Sequence, residues 1–133
     1  MSGEIIVITQ EGDIVTILRA MRGAAADLGF GVTDSTRIVT AASELACNLY
    51  HYARRGVMCW RKVEREGMPG LELRFEDNGP GIPNVELALQ KGYTTGDGLG
   101  MGLPGVRCLM DEMDIETAVG KGTTVTVRKW KRG

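Results

Sequence analysis

Three short stretches of this 133-residue chain gather side chains and backbone that could do chemistry. The first is Ser43 to Ala53, SELACNLYHYA. Read as a helix at about 100° per residue, it sets Glu44, Asn48 and His51 on one stripe, about a quarter turn from the apolar one. A carboxylate, an amide and an imidazole then look out along a line beside the core-facing side. A solvated helix edge with a Glu–Asn pair fits the same spacing. The second stretch is Asp77-Asn78-Gly79-Pro80-Gly81-Ile82-Pro83, which follows directly on the apolar run from Leu71. An Asp at a strand end can present its carboxylate into a cleft, and Gly79 and Gly81 let a flat ligand lie against the backbone. The carboxylate, an acceptor, matches the exocyclic amino group of adenine. Against guanine it would meet a carbonyl oxygen, acceptor to acceptor, and leave a desolvated charge unpaired. An ordinary Asx turn stiffened by prolines suits these residues too.

The third stretch, Gly96 to Gly105, reads GDGLGMGLPG. Its last six residues satisfy the dinucleotide fingerprint G-x-G-x-x-G letter for letter, but the context is wrong. That motif follows a strand, and here KGYTTGDG precedes it and Pro104 interrupts it. No G-x-x-x-x-G-K-[ST] occurs either. What survives is general physics: backbone N–H groups uncovered by side chains can wrap phosphate oxygens, and a following helix points its positive N-terminus at them. A plain flexible loop is the other reading.

The elements that must position these groups follow from periodicity. Ile5 to Thr9 is a short β-branched strand. Asp13 caps a helix in which Ile14, Leu18, Met21 and Leu28 recur, with Gly29 as its stop. A second helix begins at Thr33 or Asp34, carries Ile38, Ala41, Ala42, Leu45, Leu49 and Tyr52 as its apolar stripe, and ends before Gly56. Val57 to Glu66 and Leu71 to Asp77 read as strands joined across the turn GMPG. Asn78 to Gly105 is irregular and long enough to suggest function. Val106 to Met113 is a short helix, and strands Ile115 to Val119 and Thr123 to Trp130 meet through GKGT. The order β-α-α-β-β-loop-α-β-β predicts an α/β sandwich with its helices on one face, in a single domain. Trp60 and Trp130 read as packing residues, and the terminal KWKRG as a solvated basic tail.

Composition narrows the function classes. Hydrophobic and charged contents of 43% and 25% are those of a soluble globular protein. A formal net charge of -1 gives no electrostatic case for nucleic acid or an anionic membrane. Cys47, Cys59 and Cys108 are odd in number and never paired as CxxC, which argues against a disulfide framework or structural zinc and fits a reducing cytoplasm. The opening MSGEIIVITQEGD has no basic region ahead of a long apolar run, so no signal peptide is expected.

Together the motifs are more specific than any one. Glu44 to Asn48 (E-x-x-x-N), Asp77 to Gly81 (D-x-G-x-G), Gly98 to Gly102 (G-x-G-x-G) and Gly120 to Thr123 (G-x-G-T) resemble, in order, the motifs of the GHKL (Bergerat-fold) ATP-binding family. The resemblance implies a two-layer sandwich with a mixed, mainly antiparallel β-sheet, and ATP and Mg²⁺ as cofactors. Asn48 would hold Mg²⁺, Asp77 would bind the adenine amino group, and Gly79 and Gly81 would line the base. Asn84 to Leu103 would form a lid over the triphosphate, with contacts from Thr95, Gly98, Leu99, Gly100, Met101, Gly102 and Leu103. Thr124 would sit near the adenine. His51 matches a position where related kinases often carry a basic residue near the phosphates, and Arg54 is a second phosphate candidate. Glu44, one helical turn from the metal ligand, would be the base that a Ser or Thr hydroxyl needs.

Within the family, SELACNLYHYA, EDNGPGIP and GLGMGLPGVRCLMDEM resemble the switch kinases of bacterial stressosomes. By that resemblance the protein would phosphorylate Ser or Thr on STAS-domain partners, leave them, and activate a PP2C-type phosphatase. The alternative is an anti-sigma factor that sequesters a sigma factor. A detached histidine-kinase domain fits less well, because the only histidine, His51, lies inside the proposed nucleotide site. Neither reading fixes an oligomeric state.

Overall fold

The computed structural model describes residues 3–79 and 102–132. In chain order these form β1 (Glu4–Ile8), α1 (Gly12–Leu28), α2 (Val32–Ala53), β2 (Gly56–Arg65), β3 (Met68–Asp77), α3 (Gly102–Leu109), β4 (Glu112–Ala118) and β5 (Gly122–Trp130). The strands make one sheet in the order β1-β2-β3-β5-β4. A mixed, mainly antiparallel sheet was expected; among the described residues every pairing is antiparallel.

Alternation along the strands decides which face the helices cover. Leu71, Leu73 and Phe75 of β3 are buried on one face, with Met58, Val125 and Val127 beside them by register. Against that face lies α2, whose stripe Ile38, Ala41, Ala42, Leu45, Ala46 and Leu49 is buried. Three alanines in the stripe let the helix come close to the sheet. Both α1, through Ile17 and Met21, and α3, through Val106, pack beside α2 over the same core. At roughly 25 cal/mol per Å² of apolar surface removed from water, this one core supplies most of the driving force for the fold.

Several boundaries differ from the expected ones. The helix α1 starts before Asp13, whose carboxylate instead accepts the Thr9 and Gln10 amides at 2.9 and 3.1 Å and closes the turn leaving β1. Its end is as expected: Gly29 has φ +82°, and the Gly29 and Phe30 amides return to Ala26 and Ala25, a Schellman arrangement. Tyr52 leaves the apolar stripe of α2 and is 41% exposed. The β2–β3 turn is not GMPG but Glu66-Gly67, both at positive φ, so Met68 to Gly70 belong to β3. Moreover, α3 runs from Gly102 to Leu109 and not from Val106 to Met113; Pro104 is tolerated because it lies in the first turn. Met113 then falls in β4, opposite Val127. Finally, KWKRG is not a solvated tail, since Lys129 and Trp130 end β5 at 7% and 4% exposure.

Candidate active site

The carboxylate of Asp77 ends β3 on the helix-covered face, and three glycines fix the backbone around it. Its Oδ1 accepts the Gly79 amide at 2.8 Å. A Cβ on Gly79 would lie 2.8 Å from the Ala53 Cβ, so only glycine lets this turn rest on the end of α2. At Gly122, φ is +91° and a Cβ would lie 2.0 Å from the Asp77 carbonyl oxygen. At Gly56, a Cβ would lie 2.4 Å from the Glu76 carbonyl oxygen and 2.9 Å from the Leu49 methyls. Side chains have been removed wherever β2, β5 and α2 close on the end of β3.

The sheet register separates the two threonines of this end by face. Asp77 stands opposite Thr123, whereas Thr124 stands opposite Glu76 and takes the other face. Both threonines line a cleft of about 780 Å³ that wraps this end of the sheet, with Asp77, Asn78 and Ala53 on one side and Val7, Val57, Glu76 and Glu116 on the open face. Thr123 alone shares the Asp77 face, and its Oγ1 is 2.9 Å from the Thr117 Oγ1. The G-x-G-T motif ends on Thr123, and Thr124 follows it directly. Choosing between them needs the register, since one residue moves a side chain across the sheet.

The predicted stripe on α2 is present, with Glu44, Asn48 and His51 all half-buried. Glu44 Oε2 accepts the Gly102 amide at 3.4 Å, which joins the stripe to the first residue of α3. Gly102 has φ +64°, so this junction requires glycine. A carboxylate at a helix N-terminus is favourably placed. The described contacts of His51 and Arg54 are aromatic: the His51 ring meets Tyr52 edge-on at 4.6 Å, and the Arg54 guanidinium lies 5.8 Å from the Tyr50 ring. Gly81, Thr95, Gly98, Leu99, Gly100 and Met101 lie outside the described residues, and Leu103 is half-buried within α3.

Chemically, this end of the molecule offers a charged acceptor on a glycine-lined edge and, on α2, a carboxylate one turn from an amide oxygen. Burial raises the Cys47 thiol above its ordinary range, and the charges of Glu44 and Glu11 act with it against the hydrogen bond from Ser43. Among the described residues no three His, Cys, Asp or Glu side chains gather as a metal cluster. The oxygen of Asn48 nevertheless suits a hard cation such as Mg²⁺, which usually takes few protein ligands and fills the rest with phosphate and water.

Comparison with known proteins adds to this geometry. The family described as histidine kinase-, DNA gyrase B- and HSP90-like ATPase (HATPase_c) matches residues 33–132. The chain is 45% identical over 125 residues to the serine/threonine-protein kinase RsbT of Bacillus subtilis (strain 168), covering 94% of each. It is 36% identical over 103 residues to the anti-sigma F factor of Geobacillus stearothermophilus, covering 72% of this chain and 69% of that one. In fold it resembles the RsbU and RsbW domains of a Mycobacterium tuberculosis protein, with a TM-score of 0.68 at 18% identity; the match covers all of this chain and 34% of that one. It also resembles the mycobacterial sensor histidine kinase MprB, with a TM-score of 0.59 at 23% identity over 98% and 99% of the two chains.

Proposed function

The chain belongs to the histidine kinase-, DNA gyrase B- and HSP90-like ATPase family, and from that premise we propose that it is a cytoplasmic protein serine/threonine kinase whose substrates are STAS-domain proteins. Once released from them it activates a PP2C-type phosphatase. The observation that carries this reading is the 45% identity, over 94% of both chains, to a protein named as a serine/threonine kinase.

ATP enters with its adenine at the Asp77 end. The carboxylate accepts the exocyclic amino group and the Thr123 hydroxyl stands beside it on the same face, while Gly79 lets the turn that holds the carboxylate rest on the end of α2. The triphosphate then runs along α2 toward Glu44 and the N-terminus of α3, where backbone N–H groups favour negative charge. The Asn48 amide oxygen would hold Mg²⁺, which when bound would supply charge neutralisation at the phosphates. Glu44 accepts the proton of the incoming Ser or Thr hydroxyl as its oxygen bonds to the γ-phosphorus and the bond to ADP breaks. The Gly102 amide holds the Glu44 carboxylate in place for that step.

The test mixes the protein with labelled ATP, Mg²⁺ and the STAS-domain proteins encoded beside it, and maps the label. Transfer to Ser or Thr is expected. Glu44→Ala is expected to keep nucleotide binding and lose transfer, and normal transfer by that variant would remove Glu44 as base. A second reading, an anti-sigma factor, is favoured by the 36% identity to anti-sigma F factor. Capture of a sigma factor without STAS phosphorylation would establish it in place of the first.

A further inference from the structure

Lys129 is a charged side chain inside the core face of the sheet. It lies on β5 opposite Leu71 and points toward the helices, with its side chain 8% exposed. Nothing in the proposed chemistry uses it, and burying an ammonium is costly unless it is paired and hydrogen-bonded. Its surroundings supply that pairing from three elements. Nζ donates to the carbonyl of Leu109, the last residue of α3, at 3.0 Å. It lies 3.6 Å from Asp111 Oδ1 in the connection from α3 to β4, and 3.8 Å from Asp34 Oδ1 in the first turn of α2. The two carboxylates are held in turn: Asp34 by Arg37 at 3.0 Å, and Asp111 by Arg132 at 3.0 Å and the Trp130 amide at 2.7 Å. Burial opposes charge on Asp111, but these donors together with Lys129 keep its carboxyl below the usual range.

The consequence concerns α3, which is only eight residues long. An isolated helix of that length does not hold itself together in water. It is fastened at both ends with the polarity its dipole favours: the Glu44 carboxylate meets the N-terminal Gly102 amide, and the Lys129 ammonium meets the C-terminal Leu109 carbonyl. Because Lys129 also faces Asp34 of α2, it ties the rear of α3 to the helix that carries Glu44 and Asn48.

We propose that Lys129 is a positioning residue for phosphate recognition: it anchors the C-terminal end of α3 so that the N-terminal end stays in register with Glu44 and the triphosphate. This rests on the kinase reading above. It also separates the two ends of the nucleotide, because the adenine end is built by Asp77, Gly79 and Thr123, at the opposite end of β3 and β5 from Lys129.

The experiment titrates ATP and AMP into the unmodified protein, Lys129→Met and Lys129→Gln, with hydrogen exchange followed across α3 and β3. For Lys129→Met the expected result is a loss of ATP affinity of about tenfold with AMP affinity held within twofold, and faster exchange in α3 but not in β3. Lys129→Gln keeps a donor for the Leu109 carbonyl and should lose about threefold for ATP. An unchanged ATP-to-AMP ratio, an equal loss of both nucleotides, or failure of both variants to fold would each overturn the assignment and leave Lys129 a general stabiliser. Binding of neither nucleotide by the unmodified protein would instead overturn the kinase reading.

Discussion

The two ends of the sheet use the same device for opposite purposes. At the Gly70 end, glycine admits a side chain of the protein itself: a Cβ on Gly70 would lie 2.5 Å from the Trp130 ring. The guanidinium of Arg65 covers that ring at 4.4 Å, and the Trp130 Nε1 donates to Glu112 at 3.0 Å. Around it the open face of the sheet is a ladder of paired charge. Glu72 sits between Arg61 and Arg128 at 2.8 Å each, and Arg128 and Arg65 both reach Glu112. At the Asp77 end, Gly122 admits backbone and Gly79 admits the Ala53 methyl at the end of α2, and the described bond to the Asp77 carboxylate comes from an amide in its own turn. One end satisfies its charges with other side chains and stabilises the fold. The other holds a carboxylate rigidly at the mouth of a cleft, where a ligand can complete its hydrogen bonding.

The largest effect that separates the two ends is expected from the glycines. Gly122→Ala sets a Cβ against a backbone carbonyl at positive φ, so it should cost about 3 kcal/mol, from strain and overpacking together. That lowers Tm by about 10 °C, and the folded fraction should also bind ATP poorly, because Asp77 moves. Gly70→Ala should destabilise as well, against the Trp130 ring and the Lys129 carbonyl, and leave ATP affinity per folded molecule intact. Thermal unfolding paired with nucleotide titration reads both, and an ATP defect in Gly70→Ala would break the division between the ends. Next in size is Asp77→Asn. A hydrogen bond to a charged group is worth about 1.5–3 kcal/mol, so ATP affinity should fall roughly 10- to 100-fold at unchanged Tm. Unchanged binding in a calorimetric titration would refute the adenine assignment.

The elements were legible in the sequence wherever local signals carry them. The period of α2, the Gly29 stop and the β-branched runs needed no knowledge of the rest of the chain. The misplaced boundaries are those decided by contacts distant in sequence. GMPG looks like a turn by composition, but Gly70 is there to receive Trp130, 60 residues on. Likewise KWKRG looks like a tail by charge, but Lys129 finds its partners on α2 and beyond α3. The candidate site was readable as a set of types, since Glu44, Asn48 and Asp77 stand out together through their likeness to the GHKL motifs, though each spacing alone fits an ordinary helix edge or turn. Their links to Gly102 and Thr123 were not, because register and helix docking create them.

The charged end makes its own prediction in pH. The side-chain hydrogen bond from Arg65 leads in holding Glu112 down, against its burial; with further help from Trp130 and Arg128, its carboxyl falls from 4.5 to about 2. A carboxyl lowered in the folded state adds stability that is fully present above about 4.5 and lost as pH falls toward 2, because the unfolded chain takes up the proton first. Glu72 and Asp111 are lowered too and act in the same direction. After allowance for solvent screening, Glu112→Gln should cost about 1 kcal/mol at pH 7, and the gap to the unmodified protein should close between pH 4.5 and 2. Denaturant melts across that range measure it. A change in ATP affinity at pH 7 would mean that the ladder also supports the nucleotide end.

The smallest expected effect tests the face assignment. Thr123 and Thr124 are neighbours, both line the cleft, and both are threonines. Composition, burial and proximity therefore cannot tell them apart. Only the pairing can: Thr123 is opposite Asp77 and Thr124 opposite Glu76, so their hydroxyls stand on opposite sides of the sheet. Replacing either by Val removes one hydroxyl at nearly constant shape. If adenine lies on the Asp77 face, Thr123→Val loses a hydrogen bond worth about 0.5–1.5 kcal/mol, or roughly 2- to 10-fold in ATP affinity. Thr124→Val should stay within twofold on the same argument. The reverse order would mean that the nucleotide enters from the open face, and the stripe of Glu44 and Asn48 on α2 would then stand on the wrong side of the sheet to reach its phosphates.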